Sequence, residues 1–111
     1  PSNEASVGAT TNVGNTPPIT ALTVLQNHPN PFAGSTDLDI GLPTRGDVSI
    51  QIYDVAGRVV REEMRRGQSA GWSRLTWDGR GGDGKPLASG VYFYRVGAAG
   101  QTVTRKMVIA R

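Results

Sequence analysis

The stretch Trp77-Asp78-Gly79-Arg80-Gly81-Gly82-Asp83-Gly84-Lys85-Pro86-Leu87-Ala88-Ser89-Gly90-Val91-Tyr92-Phe93-Tyr94-Arg95 decides the fold. It reads as a strand, tight glycine-bearing turns and a second strand, a hairpin whose turns set the register. Asp78-Gly79 and Asp83-Gly84 each place a carboxylate beside a residue that tolerates left-handed backbone, as turns demand. A calcium loop is the sharper alternative, but an EF-type loop wants acids at alternate positions, and Arg80, Gly81 and Gly82 supply none. The stretch holds no pairing of nucleophile and base: Ser89, in Ala88-Ser89-Gly90, lacks the Gly-x-Ser-x-Gly elbow and reads as a turn residue. What is specified here is backbone geometry, and neither catalysis nor a cofactor is expected.

Outward from this stretch the period is two. Leu38, Ile40 and Leu42 alternate with Asp37, Asp39 and Gly41, and Val48, Ile50 and Ile52 alternate with Ser49, Gln51 and Tyr53, so each strand has one dry and one wet face. Residues 43–46 form the turn between those two strands. Residues 54–58 are a hairpin loop in which Gly57 supplies positive φ, leading to a return strand with Val59, Val60 and Met64. Gly67 and Gly71 bracket the next turn. Residues 72–77 form a fifth strand with Leu75 and Trp77 inward; residues 91–96 and 102–109 follow, separated by the 97–100 turn. No segment carries a 3.6-residue period. Six or seven short strands at spacings of about 8 to 12 residues predict an all-β chain, a single immunoglobulin-like antiparallel sandwich.

Composition agrees with one small domain and an appended arm. The chain has 111 residues, 37% of them apolar, and no cysteine, so packing and not a disulfide or thiolate site must hold it together. No apolar run approaches the roughly 20 residues that span a bilayer. Pro1-Ser2-Asn3-Glu4 has neither the basic end nor the apolar stretch of a signal peptide, so such a signal is expected outside these residues. Residues 1–36 hold one charged side chain, Glu4, while all 12 Lys and Arg lie beyond them. The densest basic group, Arg58, Arg61, Arg65 and Arg66, is interrupted by Glu62 and Glu63 and reads as a solvated strand face and not a nucleic-acid surface. Glu62 and Glu63, adjacent on a strand, point to opposite faces, which does not suit shared acid and base work.

Residues 1–24 read as a linker or extended arm, and residues 25–111 as the domain. Small polar residues and Pro17-Pro18 dominate the arm and cannot bury enough surface to offset ordering entropy. Its apolar cluster, Ile19, Ala21, Leu22 and Val24 with Leu25, is suited to lie as a strand along a sheet edge of its own domain or of a neighbour. In Pro29-Asn30-Pro31-Phe32 the prolines fix φ and hold the residues before them extended, which leads the chain into the domain along one path and lets Phe32 plug the end of the sandwich. His28, the only histidine, has no acid beside it in sequence and reads as a rim residue. Arg45-Gly46-Asp47 falls in an expected turn and is a chance tripeptide. Trp72, Tyr92 and Tyr94 are read as core and cross-strand packing in preference to a sugar-binding strip.

Five motifs occur in order over residues 25–111: Leu25-Gln26-Asn27-His28-Pro29-Asn30-Pro31-Phe32; Val48-Ser49-Ile50-Gln51-Ile52-Tyr53-Asp54-Val55-Ala56-Gly57-Arg58; Trp77-Asp78-Gly79; Ser89-Gly90-Val91-Tyr92-Phe93-Tyr94-Arg95; and Arg105-Lys106-Met107-Val108-Ile109. With them the chain resembles the C-terminal sorting domain of proteins exported by the type IX secretion system of Bacteroidetes, and the similar immunoglobulin-like domain of the flagellar hook-capping protein. One departure is Ala33-Gly34, where the family usually continues Asn-Pro; it alters a turn. The resemblance implies a secreted or cell-surface, non-enzymatic domain, recognised at the outer membrane by protein partners of the secretion machinery and cleaved or attached at the outer surface. It implies that Lys106, Met107, Val108 and Ile109, in the terminal strand, are the recognised element. The alternative is a structural subunit of an extracellular filament or layer, a homopolymer in which Ile19, Leu22, Val24 and Leu25 add a strand to an identical subunit; the arm, with no cargo domain before it, favours this reading.

Overall fold

The alternating segments become strands in the computed structural model, which describes residues 19–111: β1 (Thr23–Val24), β2 (Thr36–Leu42), β3 (Gly46–Tyr53), β4 (Val59–Gln68), β5 (Gly71–Trp77), β6 (Gly90–Ala98) and β7 (Gln101–Ile109). They form two antiparallel sheets, β1-β2-β5 and β4-β3-β6-β7, packed as an immunoglobulin-like sandwich. No helix among the described residues is long and apolar enough to cross a membrane.

Period-two alternation sets which side chains meet between the sheets. Leu38, Ile40, Leu42, Leu75 and Trp77 face Val48, Ile50, Ile52, Tyr92, Tyr94, Val96, Met107 and Ile109, all buried. Each large apolar side chain taken out of water contributes about 1.5–3 kcal/mol before ordering entropy is counted. Val59 and Met64 on β4 stay outside, 43% and 52% exposed, because β4 is the edge strand and its register with β3 turns them to solvent.

Three connections expected as turns or hairpins within a sheet instead cross from one sheet to the other. β2 and β3, β4 and β5, and β5 and β6 are consecutive in sequence yet lie in different sheets. Pro43, immediately after β2, has no N–H with which to continue that ladder. The long connection from Trp77 to Gly90 folds on itself: Trp77 Nε1 donates to Arg80 O (3.0 Å), Asp78 Oδ1 accepts from the Arg80 N–H (3.1 Å) and Asp83 Oδ1 from the Lys85 N–H (2.9 Å). Both aspartates thus serve turns. Gly79, at φ 74°, has no room for a side chain, since a Cβ would stand 2.8 Å from Arg111 Nη2 and 3.4 Å from Phe32. Gly57, at φ 82°, closes the β3–β4 hairpin with its N–H on Asp54 O.

The sandwich begins before residue 25. β1 pairs with β2 of the same chain, Thr23 opposite Gly41 and Val24 opposite Ile40, and Leu22 and Val24 enter the core. Ile19 and the ring of Trp72 lie over Gly41, each 3.2 Å from where a Cβ would stand. Residues 19–24 of the expected arm lie along the sheet of their own domain, one of the two placements expected for them, and residues 1–18 lie outside the described residues.

Between β1 and β2 the lead-in segment, residues 25–32, is tied to both sheets around a buried polar node. The Tyr94 hydroxyl of β6 donates to Leu25 O and accepts the Asn27 N–H, both at 3.0 Å. Asn27 Nδ2 donates to Thr36 Oγ1 of β2 (3.0 Å) and to Pro29 O (3.2 Å), and Thr36 Oγ1 donates to Pro29 O (2.8 Å). Phe32, 3% exposed, meets Trp77 edge to face at 5.7 Å and plugs the end of the sandwich.

Tyr94→Phe leaves the buried Asn27 N–H and the partly buried Leu25 carbonyl without their partner and is expected to cost about 1–3 kcal/mol in urea unfolding at neutral pH. Burial holds the Tyr94 hydroxyl above the ordinary tyrosine pKa, opposed by its bond to Asn27. A raised folded value means the contribution is complete below the unfolded pKa and is lost as pH rises through the folded one. The stability gap between wild type and Tyr94→Phe should therefore narrow above about pH 10.

Candidate functional site

The terminal strand is built into the fold on both of its edges. On one side β7 pairs with β6 from Gly90 opposite Ile109 to Ala98 opposite Gln101. On the other side the lead-in segment covers it. Gln26 Nε2 donates to Lys106 O (2.7 Å), Asn30 Oδ1 accepts the Val108 N–H (2.9 Å), and the Phe32 N–H donates to Val108 O (3.1 Å) while Phe32 O accepts the Ala110 N–H (2.9 Å). Further along, Gln101 Oε1 accepts the Leu22 N–H at 2.7 Å, and Arg105 Nε donates to Val24 O. Arg111 fastens the far end, with its N–H on Ser89 Oγ and its guanidinium on the carbonyls of Ala33, Gly79 and Leu87.

This closure divides the four residues implied as the recognised element. Met107 and Ile109 point inward and are buried. Lys106 and Val108 point to the outer face of the four-stranded sheet, Lys106 exposed and Val108 half-buried. From Lys106 to Ala110 the free backbone edge of β7 is taken up by the lead-in segment, and the side chains of Lys106 and Val108 stay turned outward.

Those side chains join a group that strand patterning alone did not collect. Cross-strand register puts Val59, Tyr53, Phe93 and Lys106 in one row across β4, β3, β6 and β7, and Glu62, Gln51, Arg95 and Thr104 in the next. The Arg95 guanidinium lies 5.0 Å from the centre of the Tyr53 ring. The Tyr53 hydroxyl donates to Gln51 Oε1 (2.6 Å), and Gln51 Nε2 donates to Glu62 Oε2 (2.8 Å). A shallow hollow of about 390 Å³ opens here, lined among others by Tyr53, Val55, Phe93, Arg95 and Thr104. The aromatic grouping considered from sequence is different: Tyr92 and Tyr94 are in the core, and Trp72 lies on the outer face of the other sheet, so the three form no strip. The usable signals were Tyr53 on the wet face of its strand and Phe93 in opposite phase to Tyr92 and Tyr94; the β3–β6 pairing that unites them is not written in either strand.

On the opposite side of the sandwich, the seam between β4 and β5 is lined by charge. Arg61, Glu63 and Arg65 alternate with Glu62, Met64 and Arg66, and Glu63 pairs with Arg65 (2.6 Å) and, more loosely, with Arg61 (4.0 Å). The stems of Arg61 and Glu63 cover a slot of about 130 Å³ floored by Ile50, Ile52, Leu75 and Trp77. The basic run is thus half seam and half solvated face. Asp47 of Arg45-Gly46-Asp47 lies in β3, not a turn, and its Oδ1 accepts the Gly67 N–H at 2.8 Å.

The fold also supplies His28 with the acid that its sequence neighbourhood lacks. His28 Nε2 is 2.9 Å from Asp39 Oδ2, and Arg74 Nε is 2.8 Å from Asp39 Oδ1. Thr76 donates to Asp37 beside them at 2.7 Å. The cluster has no nucleophile and bridges the lead-in segment, β2 and β5. Residues 19–25 are likewise spent within their own domain: Leu22 and Val24 are core, Ile19 packs on Trp72, and Leu25, though 42% exposed, donates its N–H to Asp39 O. Ile19, Leu22, Val24 and Leu25 thus lie along the edge of their own domain's sheet, one of the two placements expected for them.

The family described as the FlgD Ig-like domain matches residues 27–104. No curated protein matches the chain in sequence. Among solved structures it is similar to dimeric latent PorU from Porphyromonas gingivalis (TM-score 0.64, 23% identity, covering 82% of this chain and 10% of that one). It is also similar to FlgD from Xanthomonas campestris (0.57, 22%, 78% and 64%). PorZ of the P. gingivalis type IX secretion system gives 0.52, 23%, 91% and 13%. At these identities the likeness is one of fold, and this chain spans less than two thirds of each of those proteins.

Two measurements separate folding from recognition at this site. On β7, Met107→Ala should cost about 2–5 kcal/mol in thermal or urea unfolding, as a large-to-small core change, whereas Lys106→Ala, at an exposed site, should change stability by less than about 0.5 kcal/mol. At Asp39, the Arg74 hydrogen bond lowers the pKa, against burial, with His28 adding to the effect. A depressed carboxylate contributes stability above its unfolded pKa and loses it as pH falls through the folded one. Asp39→Asn should therefore flatten the acid limb of the melting-temperature profile below about pH 4.

Proposed function

The chain belongs to the FlgD Ig-like domain family, and from that premise we propose that it is a non-enzymatic recognition domain of a secreted or cell-surface protein, read by protein partners of a type IX secretion apparatus. The observation that carries this reading is the treatment of the terminal strand. Its edge is closed by the lead-in segment and Arg111, while Lys106 and Val108 are turned outward beside Phe93 and Tyr53. Three of the five motifs that carry the resemblance to sorting domains build this arrangement: Pro29-Asn30-Pro31-Phe32 closes the edge, Trp77-Asp78-Gly79 receives Phe32 and Arg111, and the last strand presents the lysine. Likeness in fold to PorU and to PorZ, described as an essential surface component of the type IX system, supports the same setting.

The non-catalytic reading has its own support. Ser89 Oγ accepts the Arg111 N–H, His28 is engaged with Asp39, and Asp78 and Asp83 cap turns. The groups that could do chemistry hold backbone in place and are spread over both sheets and the connecting loop.

The test is delivery of a reporter. With a signal peptide and a fluorescent protein placed before it, the domain should carry the reporter to the surface or medium of P. gingivalis, and removal of residues 101–111 should leave the reporter in the periplasm. Retention in the periplasm of a fusion whose sandwich is folded and protease-resistant would overturn the proposal.

A further inference from the structure

We propose that the outer face of β3, β6 and β7 docks an extended acidic polypeptide segment of the partner, with Arg95 and Lys106 taking alternate carboxylates and the Tyr53–Phe93 hollow taking an apolar side chain. It rests on the reading of this domain as a protein-recognised module and names the chemistry of what recognises it.

Charge is the first argument. Of the acids near this face, Asp54 accepts the N–H groups of Ala56 and Arg58 and is neutralised by the Arg58 side chain, while Glu62 keeps its charge on the β4 edge, one strand beyond Gln51 from Arg95. Among the described residues no carboxylate lies within salt-bridge reach of Arg95 or Lys106. Arg95 instead lies against the Tyr53 ring, and its N–H groups, which the ring face does not consume, suit bidentate contact with a carboxylate.

Spacing is the second. Lys106 stands opposite Phe93, two residues from Arg95. The two cations are diagonal neighbours on one face, roughly 7–8 Å apart along that diagonal. Same-side residues of an extended chain recur every 6.4–6.8 Å or so. A segment with acids at alternate positions therefore meets both cations without leaving the extended conformation. The Tyr53–Phe93 hollow lies in the same row as Lys106, beside the line that joins the two cations, with Val55, 73% exposed, at its lip, and is open to an apolar side chain of the same segment. A sheet face with two aromatic rings, two free cations and the threonine Thr104 between them offers apolar contact and charge together, as protein-binding surfaces do.

The test uses the full 111-residue chain, isotope-labelled, with three defined probes: a random glutamate–tyrosine copolymer, poly-glutamate and heparin. The copolymer should shift the amide resonances of Tyr53, Phe93, Arg95 and Thr104, and bind more tightly than poly-glutamate of equal charge. Arg95→Gln should weaken it about tenfold and Lys106→Gln by a similar factor, with the core Tyr94 signals unchanged as the control for folding. Phe93→Ser should remove the advantage of the copolymer over poly-glutamate. The proposal is overturned if no binding is seen at millimolar probe, if the shifts centre on the Arg61–Arg65 seam or the His28–Arg74 cluster, if Arg95→Gln binds as wild type does, or if heparin shifts the same amides as strongly. A domain that delivers the reporter but fails here overturns only the docking chemistry; one that binds here but delivers nothing overturns only the secretion reading.

Discussion

The structure depends on one buried polar node that fastens the lead-in segment between the two sheets. Asn27 and Thr36 are the buried polar side chains among the described residues, and both bond within a network completed by Tyr94 and Pro29. Unpaired, each such group would cost about as much as a large share of a small domain's net stability. Satisfied together, they fix where the lead-in runs, since only one path brings Leu25 O and the Asn27 N–H to the same hydroxyl. From that path follow the burial of Val24 and Phe32, the covered edge of β7, and the phase of β7 that turns Lys106 out and Met107 in.

The two seams of the sandwich are consequently unlike. Between β1 and β7 the chain has supplied its own filling, an irregular segment bonded to both sheets. Between β4 and β5 it has supplied charge: Arg61, Glu63 and Arg65 point toward the slot from an edge strand. Inward-pointing charges are a common defence of an exposed edge, because a strand pairing there would have to bury them. Covered on one side and charged on the other, the domain offers little for a stray strand to pair with, and its outward sheet faces remain as the places to bind.

Much of this was legible in residues 36–109. Alternation at Leu38, Ile40 and Leu42 and at Val48, Ile50 and Ile52 gives the strands and their dry faces, because burial acts on each residue separately and leaves a local trace. Sheet membership leaves none. The 43–46, 69–70 and 78–89 connections look like hairpin loops from their turn residues, and only the need to bring two apolar faces together makes them crossings. The arm's apolar cluster, Ile19 to Val24, is legible as a strand for a sheet edge, but which sheet it joins is not, because Leu22 and Val24 enter a core that exists only once β2 and β7 are placed. Gly41 belongs to the same class, a bare position that makes sense when Trp72 and Ile19 are seen lying on it.

The outer face proposed for docking was the least legible, and the reason bears on how such a face can be read. Tyr53, Phe93, Arg95 and Lys106 come from three strands and meet through two registers, β3 with β6 and β6 with β7. A partner that reads this face reads the folded state, because in the unfolded chain Tyr53 and Lys106 are 53 residues apart and no short peptide contains both. Recognition of the terminal strand as a linear sequence would instead require the lead-in segment to come away, at the cost of the Gln26, Asn30 and Phe32 contacts and of the node behind them. Closure of the strand's edge and exposure of its outer side chains therefore work in the same direction: a partner engaging this face is sensitive to whether the domain has folded, and a misfolded chain carrying the same last eleven residues presents it with Lys106 alone.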